Sequence, residues 1–519
     1  MDTPVHYIIE AYDKGYLMAG KYGANYSKYN WLIKTDINGE ILWEKTIGDG
    51  IHSIALLGLD QDSSGNGFLC GLSNAIDSER DPLLIKVDSC GEKQWCKIFY
   101  TENNYDYASN LTVNPEGDVI IILNLTNPEL WIDPICIAKL STNGVMIWKQ
   151  CYTTSDTNQR NEITREIICT PDQGFLVTGF CYYQDPIVPN HWIPHPYLLK
   201  VDSTGNFEWE TVIFKETNLD GGAAWSTVVS PDGNYYYSSL SHYLYDDNQA
   251  LPALAKLDLQ GNVLGVYDAV SGFKFGLLYL AQFLDDTTLC ASANWGMTEE
   301  DCRPRAVIID TLGKLLNSTV LTQDIYTSFL QVTYDGKLVY GSNTYQNNQF
   351  DCFLTKLNQN LEDDSIYTRP FTYDSLCPYQ ILSDTIVQDD CELIVGIEEE
   401  EETGGQGEEG KRGEMEIWPN PAESIIHCRL SNVDCRGDCS LMIYDIFGRE
   451  APTRQNSLPP GGGRAGDGGG NGREGGGNGR EGGLQNWQID VSTLPPGIYL
   501  AVVKNGHSFI SSAKFVVVR

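Results

Sequence analysis

The chain has 519 residues and sets 70 Asp and Glu against 35 Lys and Arg, a formal net charge of −35. A field of that sign repels a phosphate backbone and an anionic lipid surface, which argues against nucleic acid and membrane surfaces as partners. No apolar run reaches the roughly 20 residues a membrane helix needs, so the chain is read as not membrane-spanning.

From the N-terminus, MDTPVHYIIE shows neither the basic segment nor the apolar run of an export signal. A phrase then begins to recur. LIKTDINGEILWEK starts at Leu32, LIKVDSCGEKQWCK at Leu84, IAKLSTNGVMIWKQ at Ile137 and LLKVDSTGNFEWET at Leu198. Its turn-opening position is occupied by Asp36, Asp88, Ser141, Asp202, Asp258, Asp310 and Asn358, which makes seven units. Three residues on stand Gly39, Gly91, Gly144, Gly205, Gly261 and Gly313, with Leu361 in the last unit. An Asx residue followed by glycine in this relation makes a tight reversal. A short apolar strand precedes each reversal (Trp31–Ile33, Leu83–Ile85, Tyr197–Leu199), and a second strand after it reaches Trp43, Trp95, Trp148 or Trp209.

Upstream of each pair lies another hairpin, bent at Asp13-Lys14-Gly15, at Pro171-Asp172-Gln173-Gly174 or at Pro231-Asp232-Gly233. Four short strands per unit, no helix signal and a period of about 50 residues predict an all-β, seven-bladed β-propeller over residues 5–397. A further hairpin, Ile381–Ile397, is left as a cap on the last blade or the start of an eighth. The turn residues are read as structural, the Trp as filler between blades, and the Lys two places before the turn as a local ion-pair partner. The pattern lapses at Ile308, which replaces the Lys, and at Gly265 and Leu316, which stand where Trp is expected.

The 15 cysteines contain no CxxC pair, which argues against zinc ribbons and dithiol redox motifs. Cys136 and Cys151 are placed symmetrically about a turn and are expected to form a cross-strand disulfide. Cys290 with Cys302, and Cys377 with Cys391, are expected to do the same. At least two disulfides, and hence an oxidising compartment, follow.

After Ile397 the composition changes. Residues 398–416 read as an acidic Gly/Glu linker, and residues 417–519 as a small immunoglobulin-like β-sandwich. Here the residues Pro419-Asn420-Pro421, Tyr444-Asp445 with Gly448, Leu494-Pro495-Pro496-Gly497-Ile498-Tyr499, and Lys514 occur in this order. In that order the segment resembles the C-terminal sorting domain of cargo for the bacterial type IX secretion system. The resemblance implies export to the outside or the outer cell surface, with the secretion machinery as a partner. It also implies an N-terminal export signal, expected to be missing from this start. A Gly-rich insert at 458–485 departs from the family pattern and is expected to be a disordered loop.

Catalytic motifs are thin: there is no GxSxG, HExxH or P-loop. His191 and His195 lie among prolines that bar a helix, and are read as exposed loop residues rather than metal ligands. The pairs Asp246-Asp247 and Asp363-Asp364 are read as solvated loop charge. The loops between the second and third strands vary most in length and carry Tyr26, Tyr29, Trp131, Tyr183, Trp192, Tyr243, Tyr245, Trp295 and Tyr345 among amides and carboxylates. Aromatic planes beside polar groups suit a sugar or peptide surface, though such rings also pack on blade edges. The reading reached is a secreted, non-catalytic protein whose propeller face binds a glycan or protein, with no cofactor or metal. The alternatives are an exported glycan lyase or hydrolase using loop acids and His191 or His195, and a ligand-free scaffold.

Overall fold

The structure is a computed structural model that describes residues 5–21, 28–76, 80–100, 105–126, 134–153, 159–185, 191–214, 220–244, 249–298, 301–321, 329–346, 349–364, 366–368, 371–379, 381–388, 390–394, 414–418, 424–433, 439–445, 454–458, 483–495, 497–505 and 508–518. It divides into two compact units, Met1–Cys391 and Glu392–Arg519. No α-helix occurs among the described residues.

The first unit is a seven-bladed β-propeller. Blade 1 comprises Val5–Glu10, Tyr16–Lys21, Asn30–Thr35 and Ile41–Ile47, and blade 2 comprises Ile54–Gln61, Gly67–Ser73, Asp81–Val87 and Lys93–Phe99. Blade 3 runs Tyr107–Val113, Val119–Asn124, Ile135–Leu140 and Met146–Tyr152; blade 4 runs Gln159–Cys169, Phe175–Gln184, Trp192–Val201 and Phe207–Val212. Blade 5 holds Asp220–Val229, Tyr235–Leu244, Gln249–Asp258 and Val263–Asp268, and blade 6 holds Phe275–Phe283, Thr288–Gly296, Arg303–Asp310 and Leu315–Val320. Blade 7 has three strands among the described residues, Phe329–Val332, Leu338–Gln346 and Gln349–Leu357. First strands neighbour one another around the ring, with blade 7 returning to blade 1, so they line the central channel.

The recurring phrase builds the contact between blades. Asp258 Oδ1 accepts the backbone N–H groups of Gln260 and Asn262 at 3.0 and 2.8 Å, which closes the turn. Asp36, Asp88, Asp202, Asp310 and Asn358 do the same in their blades. Gly205 has φ +86, and a Cβ there would stand 2.9 Å from the Trp148 ring of the preceding blade. The indole completes the junction by donating Nε1–H to the Ser203 carbonyl at 3.3 Å. Trp95 and Trp209 repeat this toward Thr142 and Leu259. Each unit therefore presents a socket to one neighbour and a plug to the other.

Where the phrase lapses, other residues fill the role. The register places Asn317, rather than Leu316, opposite Ile308, and its amide donates to the Asn360 carbonyl at 2.8 Å. Gly265 stands opposite Lys256, and Tyr267 instead packs against Gly313. The repeated Lys pairs not with the turn residue two places on, as its shared strand face suggested, but in four blades with the acid at the bend of the upstream hairpin: Lys34–Asp13, Lys139–Asp118, Lys200–Asp172 and Lys356–Asp335. Lys86 instead bonds Thr142, and Lys256 lies over the Tyr235 ring.

The seven-to-one junction is closed by a strap rather than by exchange of a strand. Beyond Leu357 the chain runs back across blade 1, where Tyr367 N–H donates to Asn38 Oδ1 and Asn38 Nδ2 to the Tyr367 carbonyl. Asp374 joins the buried Lys34–Asp13 pair: its N–H donates to Asp13 Oδ2 at 2.9 Å and its carboxylate accepts Trp43 Nε1–H. Cys377 is then bonded to Cys90 of blade 2. Thr385–Ile386 adds in parallel to the outer strand of blade 1 as a fifth strand, held also by Asp384 on the fully buried Lys45. Cys391 ends the strap on Cys96.

Three expectations are corrected here. The hairpin at Ile381–Ile397 is neither an eighth blade nor a cap on blade 7, because its first strand, Thr385–Ile386, joins blade 1. Cys377 and Cys391 are disulfide-bonded, but to blade 2 rather than to each other. Cys290 and Cys302 are buried and not bonded to each other, since the register sets Cys290 opposite Ile308 and carries Cys302 beyond the far end of that strand. The Cys136–Cys151 disulfide forms as expected, between residues directly opposite in register.

The second unit has two antiparallel sheets. One orders Glu414–Trp418, Ile425–Val433, Gly483–Asp490 and Arg454–Leu458; the other orders Cys439–Asp445, Gly497–Asn505 and Ser508–Val517. Its core draws Ile426, Cys428, Trp487 and Ile489 from the first and Leu441, Ile443, Tyr499, Ala501 and Val503 from the second, as a sandwich requires. The first strand begins three residues before the expected boundary at 417. Residues 398–413 of the expected linker and 459–482 of the Gly-rich insert lie outside the described residues.

Each strap disulfide closes a loop of nearly 300 residues, with sequence separations of 287 and 295. Replacing all four strap cysteines, Cys90, Cys96, Cys377 and Cys391, by Ala is expected to lower unfolding stability by about 2–5 kcal/mol, more than the same change at Cys136 and Cys151. Denaturant titration of the two variants decides the point, and equal losses would mean that the strap does not seal the ring.

Candidate functional site

The first strands carry a β-bulge at one common height. The extra residue is His6 in blade 1, Leu57 in blade 2, Ser109 in blade 3, Arg165 in blade 4, Trp225 in blade 5 and Tyr279 in blade 6. A bulge re-aims a side chain, and here three successive extras meet across blades. The Arg165 guanidinium lies 4.9 Å from the Trp225 ring and 5.4 Å from Phe180. Trp225 is 5.3 Å from Tyr279, which stands edge-on to Phe329 at 5.9 Å, and Phe329 is 5.5 Å from Tyr7. The result is an arc of one cation and four aromatic rings over blades 4, 5, 6, 7 and 1.

The residue after the bulge faces the next blade. Asn110, Glu166 and Ser226 each accept a backbone N–H from the following first strand, from Ile167, Thr227 and Ala281. Lower down, Asp60 Oδ2 accepts Val113 N–H at 2.8 Å and Gln282 Oε1 accepts Val332 N–H at 2.7 Å. Tyr12 N–H to Gln61 and Tyr334 N–H to Glu10 complete the ring. Burial pushes Glu166 up to about 7 and Asp60 up to about 6, against the opposing pull of these N–H donors. Burial also raises Tyr7 and Tyr279, the latter opposed by Arg165.

A second group lies where the inner hairpins of blades 4 and 5 outrun their outer strands. Tyr183 donates to Gln159 Oε1 at 2.7 Å and meets the His195 ring edge-on at 5.4 Å. His195 is only 4% exposed, which corrects its reading as an exposed loop residue; burial lowers its pKa. Pro194 and Pro196 are tolerated because the strand there has outrun its outer neighbour, so no N–H is wanted on that side. His191 is exposed and pairs with the buried Asp185 at 2.9 Å, clasping the hairpin. His242 bonds Asp268 at 2.7 Å and stacks on Phe214 at 4.5 Å.

Of the predicted ligand-binding residues, Tyr183, Trp192 and Tyr243 are half-buried on these two hairpins, and Tyr29 is exposed on blade 1. Trp295 is 5% exposed and packs in blade 6 beneath Phe273 and Arg305. Tyr345 pairs with Phe350 in the blade 7 hairpin. Tyr26, Trp131 and Tyr245 lie outside the described residues, as do Asp246 and Asp247. Asp364 is not solvated but bonded to Lys337 at 2.8 Å. Among the described residues no group of three or more His, Cys, Asp or Glu is placed to hold a metal.

In the second unit Tyr499 is buried and donates to the Pro495 carbonyl at 2.9 Å, which clasps the turn after Leu494. Tyr444 and Asp445 pair with Leu500 and Tyr499, Gly497 with Val517, and Lys514 with Leu500. Pro419, Asn420, Pro421, Gly448 and Pro496 lie outside the described residues.

No family model matches the chain, and no curated protein does. Solved structures do match, at low identity. A polysaccharide lyase described as an ulvan lyase is 8% identical with TM-score 0.48, covering 69% of this chain and 95% of its own. The β-propeller domain of the Trilobed protease from Pyrococcus furiosus, described as having an open velcro topology, is 12% identical with TM-score 0.41, covering 70% and 96%. A protein of unknown function from Dyadobacter fermentans is 10% identical with TM-score 0.42, covering 58% and 94%. It is the chain's own seven blades that define the class as a β-propeller, and these likenesses add nothing to it.

Glu166 gives a stability test. Its folded pKa is raised above the unfolded value of roughly 4.3, so between those pH values the folded state holds a proton that the unfolded state releases. Stability from this group is therefore present at low pH and falls as pH rises through the window. Asp60 acts in the same direction. His195, lowered by burial, acts in the opposite direction inside this window, while Asp258, held below the usual carboxylate range by Asn262, and Asp285, held at about 2 by Thr288, do so only at lower pH; two raised carboxylates thus stand against one lowered imidazole. The protein is expected to be more stable at about pH 5 than at pH 7.5, and Glu166→Gln, which keeps the acceptor, to lose at least half of that difference. Unchanged pH dependence of unfolding in the variant would refute the assignment.

Proposed function

We propose that the chain is a secreted or cell-surface, non-catalytic binding protein whose propeller recognises a glycan or a protein, and that its second unit is a sorting domain read by the type IX secretion machinery. The observation that carries the binding reading is the pair of extended hairpins. In blades 4 and 5 the second and third strands are ten residues long while the fourth is six, and the overhang bears Tyr183, Trp192 and Tyr243. Half-buried rings on a fixed strand supply contact area at little conformational cost, and neighbouring amides and carboxylates supply direction. Three disulfides support an oxidising, extracellular setting. The ordered motifs from Pro419 to Lys514 support the export route.

Probing glycan and peptide arrays with the full chain tests the first part. Trp192→Ala is expected to weaken the captured ligand at least roughly tenfold, with unfolding midpoint unchanged; undiminished capture would remove the hairpins from the site. The second part is tested in a bacterium with type IX secretion. Deleting residues 417–519 is expected to hold the propeller in the periplasm, and its continued appearance outside the cell would sink the sorting assignment.

A further inference from the structure

Acids outnumber bases two to one in this chain, and its buried cations reflect that abundance. Lys34, Lys45 and Lys200, each with a side chain no more than 2% exposed, all hold a carboxylate within 2.9 Å. Arg165 does not. Its guanidinium is exposed in the channel, lies over the faces of Trp225 and Phe180, and is close enough to Tyr279 to oppose the rise in that residue's pKa. The adjacent carboxylate, Glu166, is turned away to the next blade, where Oε2 accepts Thr227 N–H at 2.6 Å. A donor close by is unsatisfied, for Trp225 Nε1 is buried with no hydrogen-bond partner.

We propose that Arg165, with Trp225 and Tyr279 beside it, forms an anion-reading subsite in the central channel that takes the carboxylate or sulfate group of an acidic oligosaccharide. The site is distinct from the hairpin overhang and does not depend on it. A guanidinium presents paired N–H donors in a fixed fork that matches a carboxylate or sulfate, and stacking on rings holds that fork in one plane. The rings of Trp225, Tyr279, Phe329 and Tyr7 are each half-buried, so they offer apolar surface to the C–H face of a sugar on one side of the cation. A peptide carboxylate would satisfy the fork as well, but the run of adjoining aromatic surfaces favours a sugar ring next to the anion.

The channel geometry also explains why a single fixed cation suffices. Net charge −35 works against any anionic ligand at long range, so a local, oriented contact must supply the discrimination. Selectivity for acidic over neutral sugar then rests on one residue, which makes it testable.

Isothermal titration of the full chain with a galacturonate tetrasaccharide, its methyl ester and a sulfated galactose tetrasaccharide tests this. At least one acidic sugar is expected to bind, with the uncharged ester at least roughly tenfold weaker than the galacturonate if that is the sugar bound. Arg165→Gln is expected to weaken the acidic sugar by roughly ten- to a hundredfold. Arg165→Lys, which keeps the charge but not the fork, should recover part of it. Galacturonate against sulfate separates the two anion sources. The proposal is overturned if neither acidic sugar binds, if acid and ester bind alike, if a correctly folded Arg165→Gln binds as the parent does, or if a poly-glutamate peptide binds more tightly through Arg165 than either sugar.

Discussion

The contact on which the propeller depends is the seating of one blade's outer-strand side chain in the turn of the next. Glycine at the turn has two reasons to be there: its backbone sits at positive φ, and its missing Cβ leaves the space an indole occupies. The acidic residue three places earlier ties the turn so that its carbonyl points at the incoming indole N–H. Stability in such an array is close to a sum over neighbouring interfaces, so the weakest junction governs the ring. That junction is the last. Blade 7 has no tryptophan to offer the blade 1 turn. The strap answers that deficit with Tyr367, Tyr373 and Asp374 packed against the blade 1 turn.

What the sequence discloses and what it hides follow from the range of each interaction. Turns, strand pairs and the plug-and-socket contact repeat, so the period, the blade number and the Cys136–Cys151 bond are legible from spacing. The strap does not repeat, and its Cys90–Cys377 and Cys96–Cys391 bonds join positions nearly 300 residues apart. Local reading set Cys377 beside Cys391 because a short loop was the only geometry in view. The bulges are hidden for another reason. One extra residue breaks the alternation that marks a strand's inward face, and Arg165, Trp225 and Tyr279 have no common chemistry that would flag the position. Only the height shared by the six bulges, once paired strands are known, reveals them.

Of the candidate site, aromatic residues on variable loops were the visible part, and position alone divides them. Trp295 is drawn inward because Arg305, opposite it on the next strand but two places along, covers its ring at 4.6 Å. Trp192 and Tyr183 stay near the rim because their strands have outrun the outer neighbour that would cover them. Composition cannot distinguish these cases, since all are aromatic residues among polar ones. The same physics separates His191 from His195: four residues apart in sequence, one is exposed against Asp185 and the other lies beneath Tyr183.

The strap disulfides also set the connectivity of the molecule as a graph. The bond from Cys90 to Cys377 and that from Cys96 to Cys391 enclose almost the whole ring in two overlapping loops. A single peptide-bond cut anywhere between residues 97 and 376 then leaves both halves covalently joined through blade 2. For a protein meeting proteases, nicking an exposed connector would release nothing: the severed blades would remain tethered, seated in their neighbours' turns.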